Sequence, residues 1–352
     1  MLVVHMDSGL GNQMLDYIEY LIIQEMNPDQ ECYLEKLIYE LPNKPGMFSM
    51  WNGYELERIF NIKTPDIKSY FSAEAWMRIL KQIEKSEFWK EDWNYSPYIA
   101  KAFANEGMTL IDMGKRPKAN PKDSKALKDK TRYLLTCFFQ KTTIGYHLKR
   151  ILRQILKKQL IESENSKINL FKKYPENAFI GHSLKLKYKG FGLEEMEERV
   201  RKIFQFPDII DVQNKQALEI IENTNSVAIH ARRSDLLSVN GHCYRHGFFK
   251  RAVRYIKRHV ENPLFVFFTD ENSVGWCEEN EKIFGLDFSK DNVMFVTWNK
   301  GIESYRDMQL MAQCKHNIFT ESSFGFWGAF LNENPNKITC APDVTIIATN
   351  TF

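Results

Sequence analysis

Two adjacent arginines follow a short apolar run in the second half of the chain. Arg232 and Arg233 come after Val227-Ala228-Ile229, with His230 before them and Asp235 after them. Two guanidinium groups are costly to bury without an anion, and arginine holds phosphate through paired hydrogen bonds. The pattern therefore predicts a phosphate-binding group, although an ion pair with Asp235 would explain it without a ligand.

Two similar polar clusters follow later apolar runs. Thr269-Asp270-Glu271 supplies carboxylates that suit a ribose or a base edge, and Glu321-Ser322-Ser323 precedes a predicted helix. Backbone N–H groups and hydroxyls at the start of a helix receive phosphate, although an ordinary serine N-cap has the same pattern. Together the three clusters favour a site for a nucleoside diphosphate.

The elements that position these clusters alternate regularly from residue 226 onward. Strands are predicted at 227–229, 264–268, 293–296, 317–319 and 338–340, and helices at 248–260, 274–284, 305–313 and 324–331. This alternation predicts a parallel sheet with right-handed crossovers. Ligands of such sheets bind beyond the carboxyl ends of the strands, where the three clusters lie.

A second site is predicted near the N-terminus, where a glycine loop joins a strand at 2–6 to a helix at about 13–25. Gly9 and Gly11 allow the backbone to approach a ligand closely, and Asn12 can donate to an oxygen ligand. The loop is not the Gly-x-Gly-x-x-Gly fingerprint, because Met14 stands at its sixth position. An NAD-dependent oxidoreductase is therefore disfavoured.

Length and composition limit the class of protein. The 352 residues suit two domains, and a 43% hydrophobic and 26% charged composition is that of a globular protein. No run approaches the roughly 20 apolar residues of a membrane helix. The first residues show no signal-peptide pattern, and the six cysteines include no Cys-x-x-Cys pair. A cytoplasmic protein with reduced thiols is expected.

The positive charge is concentrated in one segment. The net charge is +3, but residues 114–173 hold 17 Lys or Arg and 4 Asp or Glu, a local +13 that leaves −10 elsewhere. Within this segment, residues 146–161 place leucines and isoleucines on one helical face and Lys and Arg on the other. The helix either packs on its own domain or contacts a membrane surface peripherally. No nucleic-acid partner is expected.

The glycine loop and two later blocks resemble the bacterial α-1,2-fucosyltransferases of glycosyltransferase family 11. The blocks are Gly-Leu-Gly-Asn-Gln-Met at 9–14, His-x-Arg-Arg-x-Asp at 230–235, and the segment 307–331. The resemblance implies an α/β fold with two Rossmann-like domains (GT-B type) that face across a cleft. We expect an N-terminal acceptor-side domain over 1–220, including a basic insertion at about 114–173. A C-terminal nucleotide-sugar-binding domain is expected over 221–352.

The resemblance also implies an activity, which is inverting transfer of fucose from GDP-fucose to a galactoside hydroxyl. It implies no cofactor and no metal, and the sequence agrees, since it contains no Asp-x-Asp. Arg232 would hold the β-phosphate and act catalytically, Arg233 and Asp235 would shape its pocket, and Asp270 would bind the nucleoside. The donor-binding residues so implied are Asn12, His230, Arg232, Arg233, Asp235, Asp270, Ser322 and Ser323.

Several points stay open at this stage. Asp7 is the favoured catalytic base because it flanks the glycine loop, with Asp16 and Asp235 as rivals and an ordinary turn as its other role. The expected acceptor is a galactose-containing glycan, lipid-linked if the basic helix holds the enzyme at the inner face of the cytoplasmic membrane. The alternatives are a transferase for another GDP-sugar and a non-catalytic nucleotide- or glycan-binding module.

Overall fold

The computed structural model describes residues 1–41, 51–90, 95–114, 127–156, 172–181, 194–233 and 237–342. Contacts divide the chain into two compact units. The first comprises residues 1–120, 166–186 and 193–205, and the second comprises 121–165, 187–192 and 206–352. The predicted division at residue 220 differs from this one. Residues from 206 onward pack with the second unit, where Arg306 and Gln309 each donate to the Pro207 carbonyl oxygen at 2.9 Å.

The described residues form nine strands. They are β1 (Leu2–His5), β2 (Cys32–Glu35), β3 (Ile111–Asp112), β4 (Ala178–Ile180), β5 (Asn225–Ala231), β6 (Pro263–Thr269), β7 (Asn292–Val296), β8 (His316–Phe319) and β9 (Thr339–Cys340). Every pairing between them is parallel. The α/β class and the parallel sheet predicted from the alternating pattern are therefore confirmed.

The same residues form fourteen α-helices. They are α1 (Leu10–Met26), α2 (Leu56–Phe60), α3 (Ala73–Ser86), α4 (Tyr95–Asn105), α5 (Leu127–Lys141), α6 (Thr143–Ile155), α7 (Glu194–Ile203), α8 (Val212–Glu222), α9 (Leu237–Arg245), α10 (Phe248–His259), α11 (Val274–Glu279), α12 (Glu281–Phe284), α13 (Tyr305–Gln313) and α14 (Ser323–Leu331). None of these described helices is both long and apolar enough to cross a bilayer.

The sheet of the first unit has the strand order β2-β1-β4-β3. β1 lies inside it and is buried along its whole length. The helices α3 and α4 cover Val3 and Phe179 of the sheet with a cluster that includes Ile79 and Phe103. The chain leaves β1 first toward β2 and later returns on the other side, so the strand order reverses between β1 and β4. The carboxyl end of β1 therefore borders the crevice of this sheet.

The sheet of the second unit has the order β7-β6-β5-β8-β9. Counted from β5, this is the order 3-2-1-4-5 of a doubly wound fold, which reverses between β5 and β8. Val227, Ala228 and Ile229 are buried on both faces, as expected for a central parallel strand. Phe249 of α10 packs with Phe267 in the core of this unit. The three polar clusters predicted from the sequence follow β5, β6 and β8. They therefore lie at or beside the point where the strand order reverses.

Most element boundaries differ from prediction by one or two residues, and three elements differ in a way that affects the interpretation. The helix predicted at 274–284 is two helices, because the Asn280 N–H donates to Cys277 O at 3.2 Å and ends the first of them. The helix after β1 begins at Leu10, so Gly11 and Asn12 lie in its first turn and the loop is shorter than expected. The helix predicted at 146–161 corresponds to α6, and its part after Leu156 lies outside the described residues.

Candidate active site

An ion pair joins the ends of the two central strands in the second unit. The Arg232 guanidinium lies after β5, and its Nη1 is 2.9 Å from Oδ1 of Asp270, which follows β6. The backbone N–H of Arg233 donates to Oδ2 of the same carboxylate at 3.0 Å. Asp270 is more buried than Arg232, so it anchors the pair while the guanidinium stays partly accessible. This use of Asp270 was not predicted, and its nucleoside-binding role stays a prediction.

Thr320 links the ends of β5 and β8 across the reversal of strand order. The buried Thr320 hydroxyl accepts a hydrogen bond from the Arg232 N–H at 3.3 Å. Its own N–H donates to the His230 carbonyl oxygen at 3.2 Å. The backbone that carries Arg232 is therefore held from both neighbouring strands.

Arg233 stacks on an aromatic ring. Its guanidinium carbon lies 4.0 Å from the ring centroid of Trp276 on α11, a cation–π contact. The Nε of Arg233 is buried and has no hydrogen-bond partner in the described part of the chain. A buried N–H without an acceptor is costly, so this group is suited to bind an anion. Trp276 carries no signal in the sequence that would have identified it.

Ser322 and Ser323 begin α14 directly after β8. Ser322 is the N-cap residue with an extended backbone, but its side chain makes no capping hydrogen bond. The first backbone N–H groups of a helix lack internal partners and attract negative charge. The start of α14 therefore fits the predicted phosphate contact. Asp235, which was also predicted to shape the phosphate pocket, lies outside the described residues.

His230 is buried beneath α14. Burial, and then the charge of Arg232, lower the pKa of His230 to about 4, so the ring is neutral at neutral pH. Gly325 allows this packing, since a Cβ there would lie 2.6 Å from His230 Nδ1 and 2.8 Å from Phe319 Cβ. His230 therefore supports the strand end by packing.

A chain of charged side chains lies at the carboxyl end of β1 in the first unit. His5 and Glu35 are register partners on β1 and β2, and His5 Nδ1 makes a short hydrogen bond to Glu35 Oε2. On its other side, His5 Nε2 lies 3.3 Å from Oδ2 of Asp7. The Ser8 hydroxyl donates to Asp7 Oδ1 at 2.7 Å. The sequence prediction included Asp7 but neither His5 nor Glu35.

The buried His5 ring is protonated at neutral pH. Burial alone would lower its pKa, but the Glu35 charge and the contacts with Asp7 and Glu35 outweigh it and raise the pKa to about 9. An imidazolium donates from both ring nitrogens. His5 therefore orients the Asp7 carboxylate while Glu35 holds the ring.

Asp16, the rival base, lies within α1. It is fully buried in α1, and burial, followed by the charges of Glu19 and Asp7, raises its pKa well above the ordinary value. A carboxyl group that favours its neutral form is poorly suited to accept a proton at neutral pH. The raised pKa of Asp16 therefore weighs against it as the base, and the role of Asp7 stays a prediction.

The glycine loop is held by Gln13 rather than by its glycines. The Gln13 amide donates to Ser8 O at 3.0 Å and to Gly53 O at 2.9 Å. The left-handed residue is Ser8, with φ 67°, whereas Gly9 has an ordinary φ of −86°. A Cβ on Gly9 would meet only Trp51 at 3.9 Å.

Within the described residues, no group of three or more His, Cys, Asp or Glu could hold a metal ion.

Residues 196–345 match the family model Glycosyl transferase family 11. The family resemblance is confirmed over this range. The range contains every donor-binding residue implied by the resemblance except Asn12. It also contains Trp276, Thr320 and Gly325, which lie against Arg233, Arg232 and His230, respectively.

Two curated relatives are similar over nearly the same length. The chain is 34% identical to an alpha-1,2-colitosyltransferase of Escherichia coli over 155 residues, 42% of this chain and 50% of that protein. It is 29% identical to a galactoside alpha-(1,2)-fucosyltransferase 1 of Saimiri sciureus over 163 residues, 42% of this chain and 43% of that protein. The chain thus spans about half the length of the curated relatives it matches.

Two solved structures resemble the chain along most of its length at low identity. The fucosyltransferase NodZ from Bradyrhizobium has 12% identity and a TM-score of 0.45, covering 94% of this chain and 92% of that one. A mutant form of Arabidopsis thaliana FUT1 in complex with GDP has 10% identity and a TM-score of 0.41, covering 97% of this chain and 70% of that one.

The raised pKa of His5 predicts a pH-dependent stability. Below pH 6.5 the ring is protonated in the folded and unfolded chains, so its stabilisation is complete. Between 6.5 and about 9 only the unfolded chain loses the proton, and the free energy of unfolding should fall by about 3 kcal/mol. Denaturant titrations at both ends of this pH range give the free energy of unfolding of the protein and of a His5→Gln/Glu35→Gln variant. The decline should be smaller in the variant. An identical decline in both proteins would contradict the assignment.

Gly325→Ala should destabilise the second unit. The added methyl group would clash with His230 and Phe319, and such overpacking costs about 1–3 kcal/mol. Gly275→Ala is the matched control, because its Cβ would meet nothing within 4 Å in helix α11. Thermal unfolding should show a lower Tm only for Gly325→Ala. Equal melting temperatures for both variants would show that the close approach to His230 is not needed.

Proposed function

We propose that this chain is an inverting glycosyltransferase that moves fucose from GDP-fucose to a galactoside hydroxyl, forming an α-1,2 linkage. One observation carries the proposal, the placement of Arg232 and Arg233 where the strand order reverses. That strand end lies inside the segment that matches glycosyl transferase family 11. The proposal includes a GT-B arrangement in which the two units face across a cleft.

The donor is proposed to bind with its diphosphate at the ends of β5 and β8. Asp270 orients the Arg232 guanidinium through the 2.9 Å ion pair, so that its remaining N–H groups can hold the β-phosphate. The Nε of Arg233 and the start of α14 offer further donors to the phosphate oxygens. These groups are fixed before the donor arrives.

The reaction breaks the bond between the fucose anomeric carbon and the β-phosphate oxygen. The electron pair leaves with GDP, and the preorganised arginines stabilise the negative charge that develops there. The acceptor hydroxyl forms the new bond from the opposite face and gives its proton to the Asp7 carboxylate. His5 holds that carboxylate through its Nε2, 3.3 Å away. Arginine thus takes the place that a divalent cation would have in a metal-dependent transferase.

The names of the relatives support the linkage more than the sugar. Both contain α-1,2, but one names colitose and the other fucose. A phosphate-binding site does not discriminate between the sugars attached to the nucleotide. Transfer of colitose from its nucleotide is therefore the second candidate function. A non-catalytic module is less well supported, since the described residues hold two arginines at one strand end and a carboxylate oriented by His5.

The proposal extends to the form of the acceptor. The helices α5 and α6 expose apolar side chains in the segment richest in Lys and Arg. This combination suits work at a membrane surface, so we propose a galactose-containing glycan carried on a lipid at the cytoplasmic face of the membrane. A free galactoside remains the simplest acceptor for assay.

Release of GDP tests the function directly. The protein is incubated with GDP-fucose, GDP-colitose or GDP-mannose, with and without a β-galactoside. We expect release from GDP-fucose that depends on the galactoside, and a fucosyl product whose linkage is read by NMR. Faster release from GDP-colitose would favour the second candidate. Binding of GDP without transfer from any donor would support a non-catalytic module and contradict the proposal.

Arg232→Ala should lower the rate of transfer by about 10²–10³, the usual cost of removing one group that stabilises a developing anion. Arg258→Ala, an exposed arginine on α10 of the same unit, is the matched control and should leave the rate unchanged. Circular dichroism checks that both variants fold. Unchanged turnover and unchanged GDP affinity in Arg232→Ala would place the diphosphate elsewhere.

Transfer should continue in the presence of EDTA. The chain has no Asp-x-Asp sequence, and two guanidinium groups stand where a metal would otherwise neutralise the diphosphate. The assay compares initial rates with chelator, and after addition of Mg²⁺ or Mn²⁺. Loss of activity in EDTA that either ion restores would contradict a metal-independent mechanism.

A further inference from the structure

The exposed apolar side chains of the described residues are concentrated on one helical hairpin. In the part of the chain that the structure describes, seventeen large hydrophobic residues are well exposed, and nine of them lie between residues 134 and 156. These nine are Leu134, Leu135, Phe138, Ile144, Leu148, Ile151, Leu152, Ile155 and Leu156. They belong to α5, α6 and the residue after it, and we call them the hairpin face. A concentration of this kind marks an interaction surface rather than scattered exposure.

The apolar side of α6 points to solvent and the opposite side holds the helix on the second unit. Residues 144, 148, 151, 152, 155 and 156 share one helical face and are 40–76% exposed. Tyr146, on the other face, is buried and stacks on His246 with ring centroids 4.8 Å apart. The guanidinium of Arg251 lies 5.9 Å from the Tyr146 ring. The helix thus packs on its own unit through Tyr146, as one alternative expected, but its apolar stripe is left exposed.

The turn between the two helices is tightly built. Thr142 caps α6 by accepting a hydrogen bond from the Gly145 N–H at 3.0 Å, and its hydroxyl donates to Phe138 O at 2.8 Å. A Cβ on Gly145 would lie only 2.2 Å from that same carbonyl oxygen. The hairpin is thus a defined element whose apolar side is presented outward by local structure.

The net charge of the hairpin indicates what kind of partner binds to the hairpin face. Residues 127–156 contain seven Lys or Arg and one Asp, a net charge of +6. A second copy of the hairpin would bring two such charges together, and repulsion would oppose that pairing. A hairpin with an exposed apolar face and a net positive charge complements a bilayer with anionic headgroups, into which such helices insert to the depth of the acyl boundary.

We propose that the hairpin face docks the protein on an anionic lipid surface, with α6 lying in the plane of the interface. The leucines and isoleucines enter the headgroup region, and the net positive charge of the hairpin attracts the anionic lipids. The polar side of α6, with Tyr146, remains attached to the second unit. This proposal concerns the surface alone and does not depend on which sugar is transferred.

Vesicle sedimentation tests the proposal on the full chain. Vesicles of phosphatidylcholine alone are compared with vesicles of equal parts phosphatidylcholine and phosphatidylglycerol, at low and at high salt. We expect the protein to pellet with the anionic vesicles and less so at high salt, because salt screens the electrostatic attraction. Equal pelleting with both compositions, or no pelleting at low salt, would overturn the proposal.

Matched variants locate the surface. Ile151→Ser/Ile155→Ser should weaken binding about tenfold or more, since each isoleucine loses its transfer into the lipid. Ile210→Ser/Val212→Ser, at similarly exposed residues outside the hairpin, should bind as the unchanged protein does. Both double variants should keep the parent Tm, because the replaced side chains are already exposed. A lowered Tm for the hairpin variant alone would show that the stripe is packed, and would contradict docking.

A second set of variants tests the charge. Replacement of Lys149, Arg150, Arg153, Lys157 and Lys158 by glutamine should remove most of the salt-sensitive part of binding. Analytical ultracentrifugation of the unchanged protein addresses the competing occupant. If the protein dimerises, the serine variant is monomeric and neither pellets with vesicles, then the face joins two copies of the chain and the lipid proposal fails.

Discussion

The ion pair between Arg232 and Asp270 braces the strand end where we propose that the diphosphate of the donor binds. The 2.9 Å contact, together with the bond from the Arg233 N–H, attaches the end of β5 to the end of β6. Thr320 attaches the same backbone to the end of β8. The Asp270 carboxylate also offsets part of the positive charge that Arg232 brings to this strand end. The charge arrangement can serve an anion because three strand ends fix it in advance.

The first unit has a buried cluster of charged groups at the carboxyl end of β1. It buries two carboxylates and an imidazole at one strand end, where isolated charges would be costly. His5 offsets this cost by bonding to Glu35 on one side and to Asp7 on the other. The result is a carboxylate oriented at the carboxyl end of β1, next to the start of α1. If Asp7 is the proton acceptor that we propose, these contacts with His5 and Ser8 set its orientation.

The sequence could predict the strand ends because buried parallel strands have a distinct apolar pattern and polar residues follow them directly. All five strands of the second unit were predicted in this way, and the arginines and serines lie where the pattern placed them. The partners of Asp270 and His5 could not be predicted, because they depend on the register between strands. Glu35 lies opposite His5 only after β1 and β2 pair, thirty residues apart along the chain. The stacking of Arg233 on Trp276 depends in the same way on where α11 packs.

A crystal structure of the protein with GDP bound tests the central claim most directly. The account predicts that the β-phosphate contacts the Arg232 guanidinium, that Arg233 Nε donates to a phosphate oxygen, and that the diphosphate faces the start of α14. The Arg232–Asp270 pair should be retained in the complex. A GDP molecule bound away from the ends of β5 and β8, or one that leaves both arginines without a phosphate contact, would contradict it.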